Sequence, residues 1–342
     1  MDIHDAARAG NLSALQHTIK RGDDVNSVDR YGYTPLMVAA SGGHTDCVKE
    51  LLSSGAGAMV NASDDDGNTP LVEAASGGHT DCIRELLSSG AVMDWADEDG
   101  RTPLYWAAYK GHTDCVRELL SSGAVVNMVN KDGCTPLIGA AMRGYTNSIR
   151  ELLSSGAEVD LADKDGKTPL QWAARQGRTD CVRELLSSGA VVDLADKDGW
   201  TPLYWAAMGG HTDCVSELLS SGAVVDLGNK DGDTPLMVAA FWGRVDTLRK
   251  LLSSGASPLC TNIDGETALM SAKISYPPNT SITKLLEEAA ESHIQPSFDE
   301  LQPFTSHTVH CLKPLQLALR LFINIAMATL NYGMKIVDKL VT

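Results

Sequence analysis

The sequence is short of large rings and of positive charge. Aromatic residues make up 5% of the 342, with four Phe, and 28 Lys and Arg stand against 44 Asp and Glu, a net charge of −16. So little ring area excludes a core of stacked aromatics, and Ala, Leu and Val must fill it. The acidic surplus keeps a chain soluble and repels phosphate backbones, so nucleic acid is not an expected partner and basic or neutral partners are favoured. Polar residues break every stretch that approaches the length of a membrane span, so no span is expected. The opening MDIHDAARAGNLSALQ has neither a basic start nor an apolar run and does not read as a secretory leader.

Chemistry is missing too. No GxSxG, HExxH, P-loop or kinase-type motif occurs. Of the eight cysteines none forms a CxxC pair or a Cys/His cluster with zinc spacing. Catalytic residues, metal and cofactor are therefore all expected to be none.

What the sequence has is a period. The pattern DxxGxTPLxxAA begins at Asp29 and recurs with its Thr at Thr34, Thr69, Thr102, Thr135, Thr168, Thr201, Thr234 and Thr267. After one step of 35 residues every interval is 33. A fixed period of this size marks a stack of small units in which each touches only its neighbours, so the array can be one elongated domain. Five cysteines, Cys47, Cys82, Cys115, Cys181 and Cys214, share one place in the period. Packed elements lie about 10 Å apart, too far for a disulfide. These thiols read as small buried apolar groups in a reducing, intracellular compartment, and a cytoplasmic location is expected with the nucleus left open. His44, His79, His112 and His211 are likewise spread one per unit and read as loop-stabilising rather than catalytic, since a site must converge in space.

Residues 196–228 serve as the type unit. Asp196 to Trp200 is a tight turn, with Gly199 in the left-handed region. Thr201 then caps a short helix that starts on Pro202 and buries Leu203, Ala206 and Ala207. Gly209-Gly210 ends it. Thr212 reads as a second N-cap, Cys214, Val215, Leu218 and Leu219 follow at helical spacing, and Gly222 takes the C-cap. The small Ala pair lets first helices approach closely, so the array is expected to curve around a concave face of turn tips and first helices.

These residues resemble the ankyrin repeat family, most closely as TPLxxAAxxGH at 34–44, 69–79, 102–112 and 201–211, each followed by LLSSGA. The resemblance covers residues 1 to about 290 and implies an all-α solenoid of helix-turn-helix units with β-hairpin-like turns. We expect an N-terminal capping repeat at 1–28; repeats at 29–63, 64–96, 97–129, 130–162, 163–195, 196–228 and 229–261; and a degenerate C-terminal cap at 262–290, where Thr267-Ala268-Leu269 lacks Pro and Tyr276-Pro277-Pro278 interrupts the helical turn. Residues 291–314 read as a linker and 315–342 as an amphipathic helix. Two extra residues within 55–63 imply a bulged loop. Tyr145, Arg178 and Arg244 replace the family's loop His, which puts a polar bridge in doubt there.

The resemblance implies a non-enzymatic interaction scaffold that holds a protein or peptide, and a monomer is expected. Specificity should lie where the motif leaves positions free, at the turn tips and just after the Ala pair. The candidates are Tyr31 and Tyr33; a basic strip of Arg101, Tyr109, Arg143, Lys167 and Arg175, with Met142 beside it; and an apolar patch of Trp200, Met208, Phe241 and Trp242. Trp106, Trp172 and Trp205 stand where Leu is usual and read as core. Phe241 and Trp242 could instead be covered by the C-terminal helix. Residues 311–320 resemble the start of a SOCS box, though Gln316 stands where that motif has Cys. That implies the alternative of a substrate-recognition adaptor in a ubiquitin ligase, docking through 311–342. Asn26, Asn61 and Asn127 resemble the family's acceptors of asparagine hydroxylation.

Overall fold

The computed structural model describes residues 1–54, 59–274 and 280–294. The expected linker and C-terminal helix fall almost wholly outside these residues, as do residues 55–58 of the expected bulged loop and Tyr276-Pro277-Pro278. Among the described residues the structure is all helix and turn, without a strand. Helices come in pairs along residues 1–289, one of two compact units into which the chain divides, the other being 290–342. In order they are α1 (Ile3–Arg8) and α2 (Leu12–Arg21), α3 (Pro35–Ser41) and α4 (Thr45–Ser53), α5 (Pro70–Gly77) and α6 (Thr80–Ser88). Next come α7 (Pro103–Lys110) and α8 (Thr113–Ser121), α9 (Pro136–Arg143) and α10 (Thr146–Ser154), α11 (Pro169–Arg175) and α12 (Thr179–Ser187). Last are α13 (Pro202–Gly209) and α14 (Thr212–Ser220), α15 (Pro235–Phe241) and α16 (Val245–Ser253), α17 (Ala268–Ile274) and α18 (Thr280–Ile294). The final helix thus runs four residues past the expected end of the last cap.

Each first helix packs on the first helices before and after it, and the second helices from α2 to α16 do the same in their own row. The Ala pair is wholly buried in every unit that has it, Ala107 and Ala108 for example, because a larger side chain would hold the first helices apart. Leu86, Leu119, Leu152, Leu185 and Leu218 fill the space between the rows.

The first helices start as their sequence dictates. Thr201 Oγ1 accepts from Tyr204 N at 3.2 Å, with Pro202 in the first helical position, where a missing N–H costs nothing. The second helices do not. Their N-cap residue is His211, not Thr212, and its side chain makes no capping bond. The threonine hydroxyl is used between units instead. Thr45 meets Cys82 Sγ at 3.4 Å, Thr80 meets Cys115 at 3.3 Å, Thr146 meets Cys181 at 3.3 Å, and Thr179 meets Cys214 at 3.3 Å. Where the cysteine is replaced, Ser148 and Thr247 offer a hydroxyl to Thr113 and Thr212 in the same way. The described cysteines are free, and burial raises the row's thiols above their ordinary 9.0. At the helix end the cap residue is Ser221; Gly222 lies one position beyond it at φ +91°.

Three further rows of contacts recur along the stack. The leading Asp or Asn of each turn caps that turn: Asp163 Oδ1 accepts from Asp165 N and Lys167 N, both at 2.9 Å, and Asn130 Oδ1 from Asp132 N and Cys134 N. Successive tips then pair through the backbone, with Lys131 N donating to Asp99 O at 2.7 Å and Lys164 N to Asp132 O at 2.9 Å, which is the hairpin-like element of the fold. The Asn or Asp after each valine stretch accepts from the next unit, as Asn26 Oδ1 does from Met59 N and Asp160 from Val191 N. The loop histidines bridge back, His79 Nε2 donating to Ser41 O at 2.9 Å and His112 to Ser76 O at 3.0 Å. Arg244 keeps that bridge by donating from Nε to Met208 O at 3.1 Å, so the doubt raised by its sequence is removed there.

Candidate functional site

The tips and the ends of the first helices place most of the candidate side chains on one face. Tyr105, Cys134 and Ile138 form a small buried cluster of their own, separate from the main core, with Tyr109, Met142 and Trp172 packed on it. Tyr105 and Tyr109 are stacked, centroids 5.8 Å apart and planes 10° from parallel, as their spacing on one helix face allows. Between this cluster and the tips of the next two units lies an open recess of about 570 Å³, whose walls include Trp106, Tyr109, Met142 and Trp172 with Arg101 at one end and Asp165 at the other.

Two of the three tryptophans read as core are therefore surface residues. Trp205 is buried, at 3% exposure, but Trp106 and Trp172 are half-buried and line the recess. All three share a polar handle, and Trp205 is further covered by Trp200 and Arg175. Each indole N–H finds the carboxylate that leads its own turn: Trp106 Nε1 donates to Asp97 Oδ2 at 3.0 Å, Trp172 to Asp163 at 2.8 Å, and Trp205 to Asp196 at 3.2 Å. A leucine-like position thus becomes a ring tied down at its edge, with its face turned along the surface. The pairing is visible in the sequence as the Asp that leads a turn followed nine residues later by Trp, three times.

The basic residues sit over these rings. Arg101 lies 4.5 Å and Lys110 5.6 Å from the Trp106 ring, and Arg143 5.2 Å from Tyr109. Arg175 spans two units, 5.3 Å from Trp172 and 4.5 Å from Trp205, while Lys167 is 5.7 Å from Trp205. The strip does not act as one charged group. Arg101 is paired with Asp97 and Asp99, both at 2.8 Å, and Lys167 with Asp165 at 3.0 Å, its side chain only 11% exposed. Lys110, Arg143 and Arg175 have rings beneath them and, among the described residues, no carboxylate within ion-pair distance.

Trp200 joins this strip rather than a patch with the next unit. It stacks on Tyr204 at 5.3 Å and meets Trp205 edge-on at 4.6 Å. Phe241 and Trp242 contact each other at 5.5 Å and remain open, 44% and 52% exposed, with Met208 half-buried beside the main core. Tyr31 stands out at 57% exposure under Arg30, whereas Tyr33 packs on the core. Burial raises the Tyr33 hydroxyl from 10.0 to about 12, and it donates to Glu73 Oε1 at 3.4 Å. Asn61 and Asn127 each have their side-chain oxygen engaged with the next unit's backbone, from Val92 N and Glu158 N. Among the described residues no cluster of His, Cys, Asp and Glu could hold a metal ion, and no helix is long and apolar enough to cross a membrane.

The sequence profile described as Ankyrin repeats (3 copies) matches residues 3–94, 57–130, 85–163, 123–196 and 184–262. The chain belongs to the ankyrin repeat family. Its fold is like that of the human ASB11 ankyrin repeat domain, with a TM-score of 0.60 and 31% identity over 65% of this chain and 98% of that one. Shorter likenesses fall on single stretches of the ankyrin stack. Ankyrin repeat domain-containing protein 29 of Danio rerio is 52% identical over 52 residues, 15% of this chain and 17% of that protein. Protein phosphatase 1 regulatory subunit 27 of Homo sapiens is 39% identical over 54 residues, 16% of this chain and 35% of that protein. A protein of Oryza sativa subsp. japonica named Probable E3 ubiquitin-protein ligase XBOS31 is 44% identical over 57 residues, 17% of this chain and 13% of that one. The chain thus spans well under half the length of these curated relatives. An ankyrin repeat domain is generally a protein–protein interaction module.

Proposed function

We propose that this ankyrin stack is a non-enzymatic scaffold that holds a protein or peptide on the face made by its turn tips and first helices. The observation that carries the reading is the row of rings and guanidinium groups from Arg101 to Trp205. Those residue types anchor protein interfaces, and here they are held in place before any partner arrives, so less ordering entropy is lost on binding. The neighbouring Phe241 and Trp242 extend the surface with exposed apolar area. The test is affinity purification with the full chain and with a variant carrying Tyr109→Ala, Met142→Ala and Trp200→Ala. Circular dichroism should be unchanged and partner recovery lost; undiminished recovery of every partner would remove this face as the site.

A second reading is favoured by the ligase name of the rice relative and by the SOCS-box-like residues 311–320. In it the repeats select a substrate and residues 311–342 dock the chain in a ubiquitin ligase. Ending the chain at residue 310 should then abolish co-purification of ligase subunits while leaving partners of the repeats bound.

A further inference from the structure

We infer that the partner segment is an acidic, extended peptide with an apolar side chain, its carboxylates spaced about one per repeat along Lys110, Arg143 and Arg175. The inference rests on the interaction-surface reading above and names the chemistry that surface selects.

The three cations are each the last or near-last residue of a first helix: Lys110 ends α7, Arg143 ends α9 and Arg175 ends α11. A positive charge there gains a little from the helix dipole. That gain is not what the framework requires, because α3, α5, α13 and α15 end on Ser41, Gly77, Gly209 and Phe241 and have no basic residue in the last turn. Arg8 ends α1 and Lys273 stands in the last turn of α17, but these are paired with Asp29 and Glu287, so the ring-backed cations fall in three consecutive units of a chain whose net charge is −16.

Their surroundings differ from those of the other arginines. On the second-helix side Arg84, Arg117, Arg150 and Arg183 each meet the glutamate of the next unit, Glu118, Glu151, Glu184 and Glu217. Lys110, Arg143 and Arg175 have no such acid; they lie 4.5 to 5.6 Å from ring centroids. A cation over a ring is oriented yet keeps its N–H groups for an outside acceptor. The open recess alongside, with Tyr109, Met142 and Trp172 in its walls, offers a place for an apolar side chain between the charges.

The geometry sets the spacing. Adjacent helices in a packed layer are about 10 Å apart and an extended chain advances about 3.3 Å per residue, so about three residues separate successive carboxylates. A continuous polyphosphate fits less well. The tips that flank the strip carry Asp132, Asp165 and Asp198, exposed or half-buried, and phosphates spread across the face would meet them.

The experiment pans a random-peptide library against the full chain, in parallel with a Lys110→Glu, Arg143→Glu, Arg175→Glu variant whose fold is checked by circular dichroism. Selected peptides are then synthesised and titrated, each beside a copy with Asp and Glu changed to Asn and Gln. The inference expects acidic sequences with an aromatic or aliphatic residue, affinity that falls as salt rises, and losses of at least about tenfold for the neutral copies and for the charge-reversed protein. Basic or neutral peptides that bind the natural chain and lose affinity when Tyr109 and Met142 become Ala would overturn the acidic chemistry and leave the surface standing. Peptides that bind the natural and altered faces equally, or no enrichment at all, would overturn both. Tight binding of a single-stranded oligonucleotide in the same titration, with no acidic peptide selected, would replace the peptide with nucleic acid.

Discussion

The two oxygens of Asp97 accept from four donors: Asp99 N, Arg101 N, Arg101 Nε and Trp106 Nε1, at 2.8 to 3.0 Å. The side chain is 1% exposed, so its loss strands several groups where water enters poorly. Asp97→Ala should cost about 2–4 kcal/mol in urea denaturation, several times the usual worth of one hydrogen bond, and should also free the Trp106 ring. The exposed Asp99→Ala, two residues along, should change stability by less than about 0.5 kcal/mol. Burial also sets the response to alkali. It raises Tyr33, Tyr204 and Cys134 to about 12, from 10.0 for the tyrosines and 9.0 for the cysteine. The unfolded chain loses these protons first, so it binds fewer protons than the folded one across that window. The stabilisation is complete below about pH 9 and drains away as pH climbs towards about 12. The urea midpoint should therefore fall steadily above about pH 9, and a flat or rising midpoint would contradict the buried placement.

Glycines that end the helices are not equivalent to one another. Gly111 and Gly123 both have positive φ, 80° and 100°, but a Cβ on Gly111 would run into the Tyr145 ring, whereas one on Gly123 would meet nothing. Gly123→Ala should cost about 1 kcal/mol from the backbone alone, and Gly111→Ala at least about 2 kcal/mol, read as a larger fall in the urea midpoint. The same pair marks how far the sequence could be read. The 33-residue period, the Thr-Pro start and the Ala pair each have one physical job, so the helix order was legible from them. The second helices were harder, because threonine serves both as a cap and as a bridge, and nothing within a single unit says that Thr212 reaches across to Thr247. Tyr145 shows the same limit: it makes no bridge like that of His112, yet its ring fills the slot beside Gly111. The surface was legible in part. Arg143 and Arg175 are legible because they sit at free positions, whereas Trp106 and Trp172 read as core because the area of a ring says nothing of where its N–H is held. The partner of that N–H, nine residues upstream, ties the ring's edge at all three tryptophans, and Trp205 is buried because Trp200 packs against it.

Along residues 1–289 each unit is held by its neighbours and by nothing more distant, so stability should be close to a sum over units and joints. Leu152 is fully buried in the middle of the stack. Leu152→Ala should cost about 2–5 kcal/mol at that unit and loosen the coupling between the two sides. The urea transition should then broaden or split when followed by tryptophan fluorescence and by circular dichroism, and a single transition of unchanged slope would show the array to be more cooperative than its contacts imply. The joints themselves are interchangeable. If residues 130–162 were removed as a block, Thr113 would come to face Cys181 in place of Ser148, and Asn127 the Val191 N–H in place of that of Glu158. The tip of Asp99 would receive Lys164 in place of Lys131. Every framework bond would find a partner of the kind it already has, while the strip would lose Met142 and Arg143 and nothing else of its order. The molecule behaves like a toothed ruler: its descendants can be lengthened or shortened by whole divisions without refitting the frame, and a change of one division alters what length of ligand it can measure.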